Sequence, residues 1–314
     1  MTGCRVVAVG HHQPARVVPN SELESMVDTN DEWITRRVGI RERRWAGPDE
    51  TVASMATLAA RDVLRKADMT PADLDGVIVA TCSAVDRSPN NAARVAEALG
   101  MTNNPSAIDV NTACSGFPHS LAMAQHAIMA GANRTVLVIG AEKLTDFTDF
   151  TDRTTCVLTA DGAGSMIVTA DERHTISPVL WGSVPQMGDS VRIEAHEDSK
   201  FAQNGRAVFR WTTTELPTIA AQVLERAGVA PADLGAIVLH QANLRIIEPL
   251  ARKLGADHAV VATDITESGN TSAASIPLAL SKLQEREPLP SGTPVLLFAF
   301  GGGLSYAGQV IEAP

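Results

Sequence analysis

An α/β fold made by internal duplication is what this sequence predicts, on three observations. Short apolar runs alternate with segments of helical periodicity from one end of the chain to the other. The segment Pro71-Ala72-Asp73-Leu74-Asp75-Gly76-Val77-Ile78-Val79 recurs as Pro231-Ala232-Asp233-Leu234-Gly235-Ala236-Ile237-Val238-Leu239, 160 residues later. The surrounding patterns keep the same order in both copies, which divides the chain into halves 1–170 and 171–314. Equivalent strands of two such halves should face a shared core, and the loops at their ends should converge on one site.

In order, residues 6–10 read as a strand. Asn20-Ser21-Glu22-Leu23 reads as a short helix, with N-cap character at Asn20. Residues 51–67 have helical spacing, 77–80 form a buried strand, and 90–99 form a helix ended by Gly100. The run Ile108-Asp109-Val110-Asn111-Thr112-Ala113-Cys114-Ser115-Gly116 then passes through a turn into an Ala-rich helix reaching Gly131. Residues 136–140 and 164–168 are strands, the second preceded by Asp161-Gly162-Ala163. In the second half, 264–270 takes the place of 109–114 with one extra residue, which sets Asn270 against Cys114. Residues 295–298 answer 136–139, and Gly301-Gly302-Gly303 followed by an apolar strand answers Asp161-Gly162-Ala163-Gly164.

Composition excludes several functions. Hydrophobic content of 45% and charged content of 20% are those of a soluble globular protein. A net charge of −10 with 4% aromatic residues argues against nucleic-acid binding and means that an acidic partner must dock on a local basic patch. The four cysteines (4, 82, 114 and 156) form no CxxC pair, so zinc and disulfide frameworks are disfavoured and a reducing cytosol is the simplest setting. The first residues show no signal-peptide pattern, and no apolar run reaches the ~18 residues of a membrane span. His11-His12 invites a metal reading, but no third ligand is nearby in sequence.

Cys114 is placed where a strand and tight turn hand over to a helix. Unpaired N–H groups and the helix dipole there favour the thiolate, although a cysteine in such a place can also simply pack. The five arginines at 36, 37, 41, 43 and 44, beside Trp33, could grip phosphates and an aromatic ring, or form a solvated basic loop. The glycine clusters run into strands instead of opening helices, which rejects dinucleotide binding and suits backbone N–H groups aimed at an oxyanion. Taken alone, His240 reads as a structural histidine and Asn270 as a turn residue.

Together the motifs say more. They are Asp31-Glu32-Trp33-Ile34, Gly39-Ile40-Arg41-Glu42-Arg43, the Cys114 turn, Asp152-Arg153, Asp161-Gly162-Ala163-Gly164, His240-Gln241-Ala242-Asn243-Leu244-Arg245, Gly269-Asn270-Thr271-Ser272-Ala273-Ala274-Ser275 and Phe300-Gly301-Gly302-Gly303. With these in this order the chain resembles, end to end, the β-ketoacyl-acyl-carrier-protein synthase III family of the thiolase superfamily. The resemblance implies a thiolase-like αβαβα layered fold and a decarboxylative Claisen condensation of a short or branched acyl-CoA with malonyl-acyl carrier protein, initiating fatty-acid synthesis. It implies Cys114 as nucleophile, His240 and Asn270 as hydrogen-bond donors to an enolate, and the N–H groups of Cys114 and Gly302 as oxyanion hole. It assigns Trp33, Arg37, Arg153 and Phe300 to substrate, and Arg245, Arg252 and Lys253 to the acidic carrier protein. Acyl-CoA is then a substrate, and neither metal nor cofactor is required. A cytoplasmic homodimer is implied by the family alone.

Two departures bear on the substrate. No aromatic residue occurs between Thr81 and Phe117, where family members often carry one that crosses the dimer interface and floors the acyl pocket. The stretch between Trp181 and Phe209 is also short for the family. Both favour a primer larger than acetyl. The alternatives are a paralogous ketosynthase-like acyltransferase or polyketide-priming enzyme and, from another class, a non-catalytic partner subunit or acyl-CoA-binding module. Such a binder typically loses the nucleophile, which is present here.

Overall fold

The computed structural model describes residues 3–314. Its first sheet is made by β1 (Gly3–His12), β2 (Gly76–Ala80), β3 (Ser106–Val110), β4 (Thr135–Lys143) and β5 (Asp161–Asp171), in the order β1-β5-β4-β2-β3. The second is made by β6 (Leu180–Ser183), β7 (Ala236–Leu239), β8 (Val260–Val261), β9 (Pro294–Gly301) and β10 (Ser305–Glu312), in the order β6-β10-β9-β7-β8. Both have the same mixed polarity. β2 is parallel to β3 and β4, β7 is parallel to β8 and β9, and the remaining pairs are antiparallel. The register repeats too, with Gly76 opposite Val136 and Ala236 opposite Val295.

Parallel strands buried on both faces need apolar residues at every position, which is why they read as continuous runs. Their alternation still sorts the layers. Val77, Val79, Leu137 and Ile139 pack outward with Met55, Ala59 and Val63 of α2 (Val52–Ala67) and Val95 of α3 (Asn91–Leu99). Ile237, Leu239, Leu296 and Phe298 pack outward with Val223 of α6 (Leu216–Ala227) and Ile247 and Leu250 of α7 (Leu244–Leu254). Ile78, Val138, Val238 and Leu297 face inward onto Phe117 and Leu121 of α4 (Gly116–Met129) and Ile276 and Leu280 of α8 (Ser275–Arg286). Five αβαβα layers result, with α4 and α8 as the middle one. The remaining longer helices are α1 (Asp31–Val38) and α5 (Gly205–Thr214). No helix among the described residues is long and apolar enough to cross a membrane.

Local signals set most ends. Thr51 and Ser54 close a capping box on α2, Asn90 caps α3, Asn243 caps α7, and left-handed glycines 100, 228 and 255 stop α3, α6 and α7. Two expectations fail. Asn20 is no cap: it lies inside a short helix with its amide buried, donating to the Ile40 carbonyl at 2.8 Å and accepting from Arg43 at 2.8 Å. Residues Asp161, Gly162 and Ala163 do not precede β5 but open it, because their partners Lys143, Glu142 and Ala141 extend β4 past the run read as a strand.

The middle layer demands glycine where a helix meets a strand. A Cβ at Gly140 would lie 2.2 Å from the Ala273 carbonyl oxygen, which is backbone and cannot step aside. Gly140→Ala is therefore expected to destabilise the protein by about 2–3 kcal/mol, the upper part of the overpacking range. Urea denaturation measures it, and an unchanged midpoint would contradict this packing.

Candidate active site

One turn from each half meets the other at the N-terminal ends of the two middle helices. After β3 the chain reaches Cys114 through a short 3-10 turn, Ala113–Ser115, with Ala113 at φ 47°. Its counterpart is Ser272–Ala274, with Ser272 also at φ 47°. The Asn111 side-chain oxygen accepts from the Ala113 N–H at 3.2 Å, and that of Asn270 accepts from the Ser272 N–H at 2.9 Å. Asn270 is therefore the counterpart of Asn111, and Cys114 that of Ala273. The sequence alignment of Asn270 with Cys114 is out of register, because what repeats is a backbone conformation and its side-chain cap, not the identity of the last residue.

Three side chains point into the space below these turns. Gly301 lets the backbone of Cys114 approach, since a Cβ there would stand 2.6 Å from the Cys114 nitrogen. Asn270 is held by main-chain bonds, its N–H to the Leu158 carbonyl at 2.9 Å and its carbonyl from the Ala160 N–H at 3.0 Å. His240 follows β7, with Nδ1 2.8 Å from the Ser275 hydroxyl and its ring edge-on to Phe300 at 5.6 Å.

Burial dominates the electrostatics. It pushes the Cys114 thiol up to about 11, and the Glu142 carboxylate adds to this; the Ser272 hydroxyl and the N–H groups of Cys114 and Gly302 pull the other way. The expected thiolate is thus corrected: desolvation outweighs the helix end, and the resting sulfur carries its proton. Burial also lowers His240 to about 3, so its imidazole is neutral.

Two cavities meet at this point. The larger, about 570 Å³, is lined by Trp33, Arg37, Arg153, Arg245, Phe300 and His240. The smaller, about 320 Å³, is lined by Cys82, Leu144, Ile193, Ser272 and Gly302. Cys114, Asn270, Val191 and Phe201 border both. Val191–Ile193 and Phe201–Gln203 form an antiparallel ribbon over the junction. The Arg153 guanidinium stacks over Trp33 at 5.3 Å, and that of Arg245 over Phe209 at 5.3 Å.

The sequence-predicted residues are thus largely brought together, with exceptions. Arg252 and Lys253 are exposed in the last turn of α7 and line neither cavity, and Lys253 donates to the Thr213 carbonyl at 2.8 Å. Of the arginine run, Arg37 lines the larger cavity, while Arg43 is fully buried and bonded to Asn20 and the Val157 carbonyl. His11 does have acidic neighbours, Asp62 and Glu285. The place of a cation there is taken by the Lys66 ammonium, 2.8 Å from Asp62 and 2.6 Å from Glu285.

Sequence reasoning passed over Cys82, Glu142, Ser272 and Ser275. Glu142 is fully buried behind the nucleophile, accepting from Thr81 and Ser83, from the Cys82 N–H at 3.1 Å and from the Ala273 N–H at 3.4 Å. It ties the loop after β2 to the second turn. A charged residue closing the apolar run 136–141 was the available signal.

Known proteins resemble this chain over nearly its whole length. Residues 108–185 match the family model described as 3-oxoacyl-[acyl-carrier-protein (ACP)] synthase III, and 224–313 match its C-terminal counterpart. A β-ketoacyl-[acyl-carrier-protein] synthase III of Streptomyces coelicolor is 60% identical over 99% of both chains. The chain belongs to the 3-oxoacyl-[acyl-carrier-protein] synthase III family. Among solved synthase III structures, that of Aquifex aeolicus is 38% identical, superposes with a TM-score of 0.93 and is covered over 100% of its chain and 99% of this one. The priming β-ketosynthase of the R1128 polyketide pathway, also 38% identical, gives 0.96, with 99% of this chain and 96% of that one covered.

The neutral His240 gives a direct test in this synthase III homologue. Its ring signals in ¹⁵N-histidine-labelled protein should not titrate between about pH 8 and pH 5, because a group lowered to about 3 gains its proton only below that window. A titration step near 6.5 would show the ring to be solvated and contradict the geometry.

Proposed function

We propose that the chain condenses an acyl-CoA primer with malonyl-acyl carrier protein in two stages, through an acyl group carried on Cys114. The observation that carries this reading is the position of Cys114 and Asn270 on the border of two cavities, with His240 facing the larger one. In the first stage the Cys114 sulfur attacks the primer thioester and coenzyme A leaves with the proton. The tetrahedral oxyanion forms beside the sulfur, where the N–H groups of Cys114 and Gly302 converge. In the second stage malonyl-acyl carrier protein loses carbon dioxide, and the enolate oxygen takes hydrogen bonds from His240 and the Asn270 amide. The carbanion then attacks the acyl-enzyme and expels the Cys114 thiolate, which takes a proton from water to restore the thiol. The scheme needs no metal or redox cofactor, since departure of carbon dioxide supplies the carbanion.

The larger cavity suits a pantetheine arm, with Trp33 and Arg153 against the adenine and Arg37 near phosphate. Phe300 packs on His240 at its inner end. Exposed Arg245, Arg252 and Lys253 on one helix give a net-negative chain a local basic face for an acidic carrier protein. Family likeness supports a cytoplasmic homodimer.

The smaller cavity holds the primer. By the ~30 Å³ that one water occupies, its volume takes roughly ten water-sized groups, well beyond an acetyl methyl. We therefore assign a primer of about four carbons or more, short or branched. A second reading, priming of a polyketide, is favoured by the similarity to the R1128 priming β-ketosynthase, at a TM-score of 0.96.

Intact-mass spectrometry after mixing with a panel of acyl-CoA thioesters tests both stages. One acyl mass should appear on Cys114, fastest above two carbons, and leave on addition of malonyl-acyl carrier protein. Cys114→Ala should gain none. Mass on the Cys114→Ala protein, or a sharp optimum at acetyl, would overturn the nucleophile or the primer assignment respectively.

A further inference from the structure

His240 can act as a hydrogen-bond donor toward the cleft only if its proton sits on Nε2, and the structure contains a group that decides this. Ser275, the first residue of α8, is 2% exposed. Its oxygen accepts the Gln241 backbone N–H at 3.3 Å and lies 2.8 Å from His240 Nδ1. A peptide N–H is always a donor, so one lone pair of the hydroxyl is committed. Its own hydrogen then needs an acceptor, and among the described residues the acceptor in hydrogen-bond reach is Nδ1. A proton on Nδ1 would leave a buried hydroxyl hydrogen without a partner, which is costly. The ring is therefore fixed with Nδ1 accepting and Nε2 carrying the proton. Nε2 has no protein partner among the described residues, and His240 lines the larger cavity.

The duplication supplies an independent comparison. The turn equivalence makes Gly116 the counterpart of Ser275, and the strand register makes Ala80 the counterpart of His240. In the first half this contact is purely steric: a Cβ at Gly116 would stand 3.0 Å from the Ala80 methyl. In the half that carries the histidine, the same contact is a serine-to-imidazole hydrogen bond. The serine occupies a place that the fold can fill with no side chain at all.

We propose that Ser275 is a positioning residue that locks His240 in the Nε2–H tautomer, making it a donor for the second stage and unable to accept the Cys114 proton in the first. The inference rests on the two-stage reading above. It predicts that the stages separate: loss of Ser275 harms decarboxylation and condensation and spares self-acylation.

The test uses the full-length protein, Ser275→Ala and Ser275→Thr. Long-range ¹H–¹⁵N spectra of histidine-labelled protein, with the His240 signals assigned by their loss in His240→Gln, should show a protonated Nε2 and an unprotonated Nδ1. Ser275→Ala should give a tautomer mixture, condensation at least about tenfold slower, the size of one lost buried hydrogen bond, and self-acylation within about twofold of the parent. Ser275→Thr should restore both the tautomer and condensation. A proton on Nδ1 in the parent, condensation within twofold in Ser275→Ala, or equal loss of both stages would overturn the proposal. So would a Ser275→Thr protein with the restored tautomer and no restored condensation. If the parent takes no acyl group at all, the functional reading fails, and the spectra alone decide the role of Ser275.

Discussion

The site depends on two left-handed turns held back to back. Ala113 and Ser272 each occupy a backbone region that costs an ordinary residue on the order of 1 kcal/mol or more. They keep it because the surroundings leave no room for anything else: Gly301 lies against the Cys114 backbone, Gly140 against the Ala273 carbonyl, and Gly116 between Ala80 and Ala273. Strain at one turn is thus fixed by packing from the other half. That arrangement sets the Cys114 sulfur beside its own N–H and that of Gly302, and turns the Asn270 amide toward the same junction with its oxygen already committed to the Ser272 N–H.

The second theme is dryness. Burial raises Cys114 and lowers His240, so the resting pair is a neutral thiol and a neutral imidazole rather than an ion pair. Neutral groups cost little to bury, and fixed N–H donors in a dry site act strongly on charge that develops later. Glu142 departs from this pattern. It is a buried carboxyl whose own pKa is raised by burial, surrounded by hydroxyl, thiol and backbone N–H donors that offset its desolvation. Its bonds join the loop after β2 to the second turn, so its place in the molecule is that of a staple between halves.

Much of this was legible in the sequence. The repeated Pro-Ala-Asp-Leu segment marks the strand next to one edge in both sheets, and the buried parallel strands are visible as unbroken apolar runs. Cys114 and His240 follow strands where the duplication predicts a site, whereas Asn270 follows the short helix Ile265–Ser268 instead of a strand. The register of the second turn is marked by a shared dipeptide, Asn111-Thr112 and Asn270-Thr271, which setting Asn270 against Cys114 misses. The thiol's protonation was not legible: a helix end is local in sequence, but the burial that outweighs it involves residues more than a hundred positions away, such as Gly301 against the Cys114 backbone. Ser275 closes the motif that begins at Gly269, yet its use depends on a contact with His240, 35 positions away.

A crystal structure of the protein acylated on Cys114 with a butyryl group tests the central claim most directly. The two-turn geometry predicts the acyl carbonyl oxygen within hydrogen-bond distance of both the Cys114 and Gly302 N–H groups, with the chain in the smaller cavity beside Cys82 and Leu144. A carbonyl turned away from both donors, or a chain lying in the larger cavity toward Trp33, would contradict it.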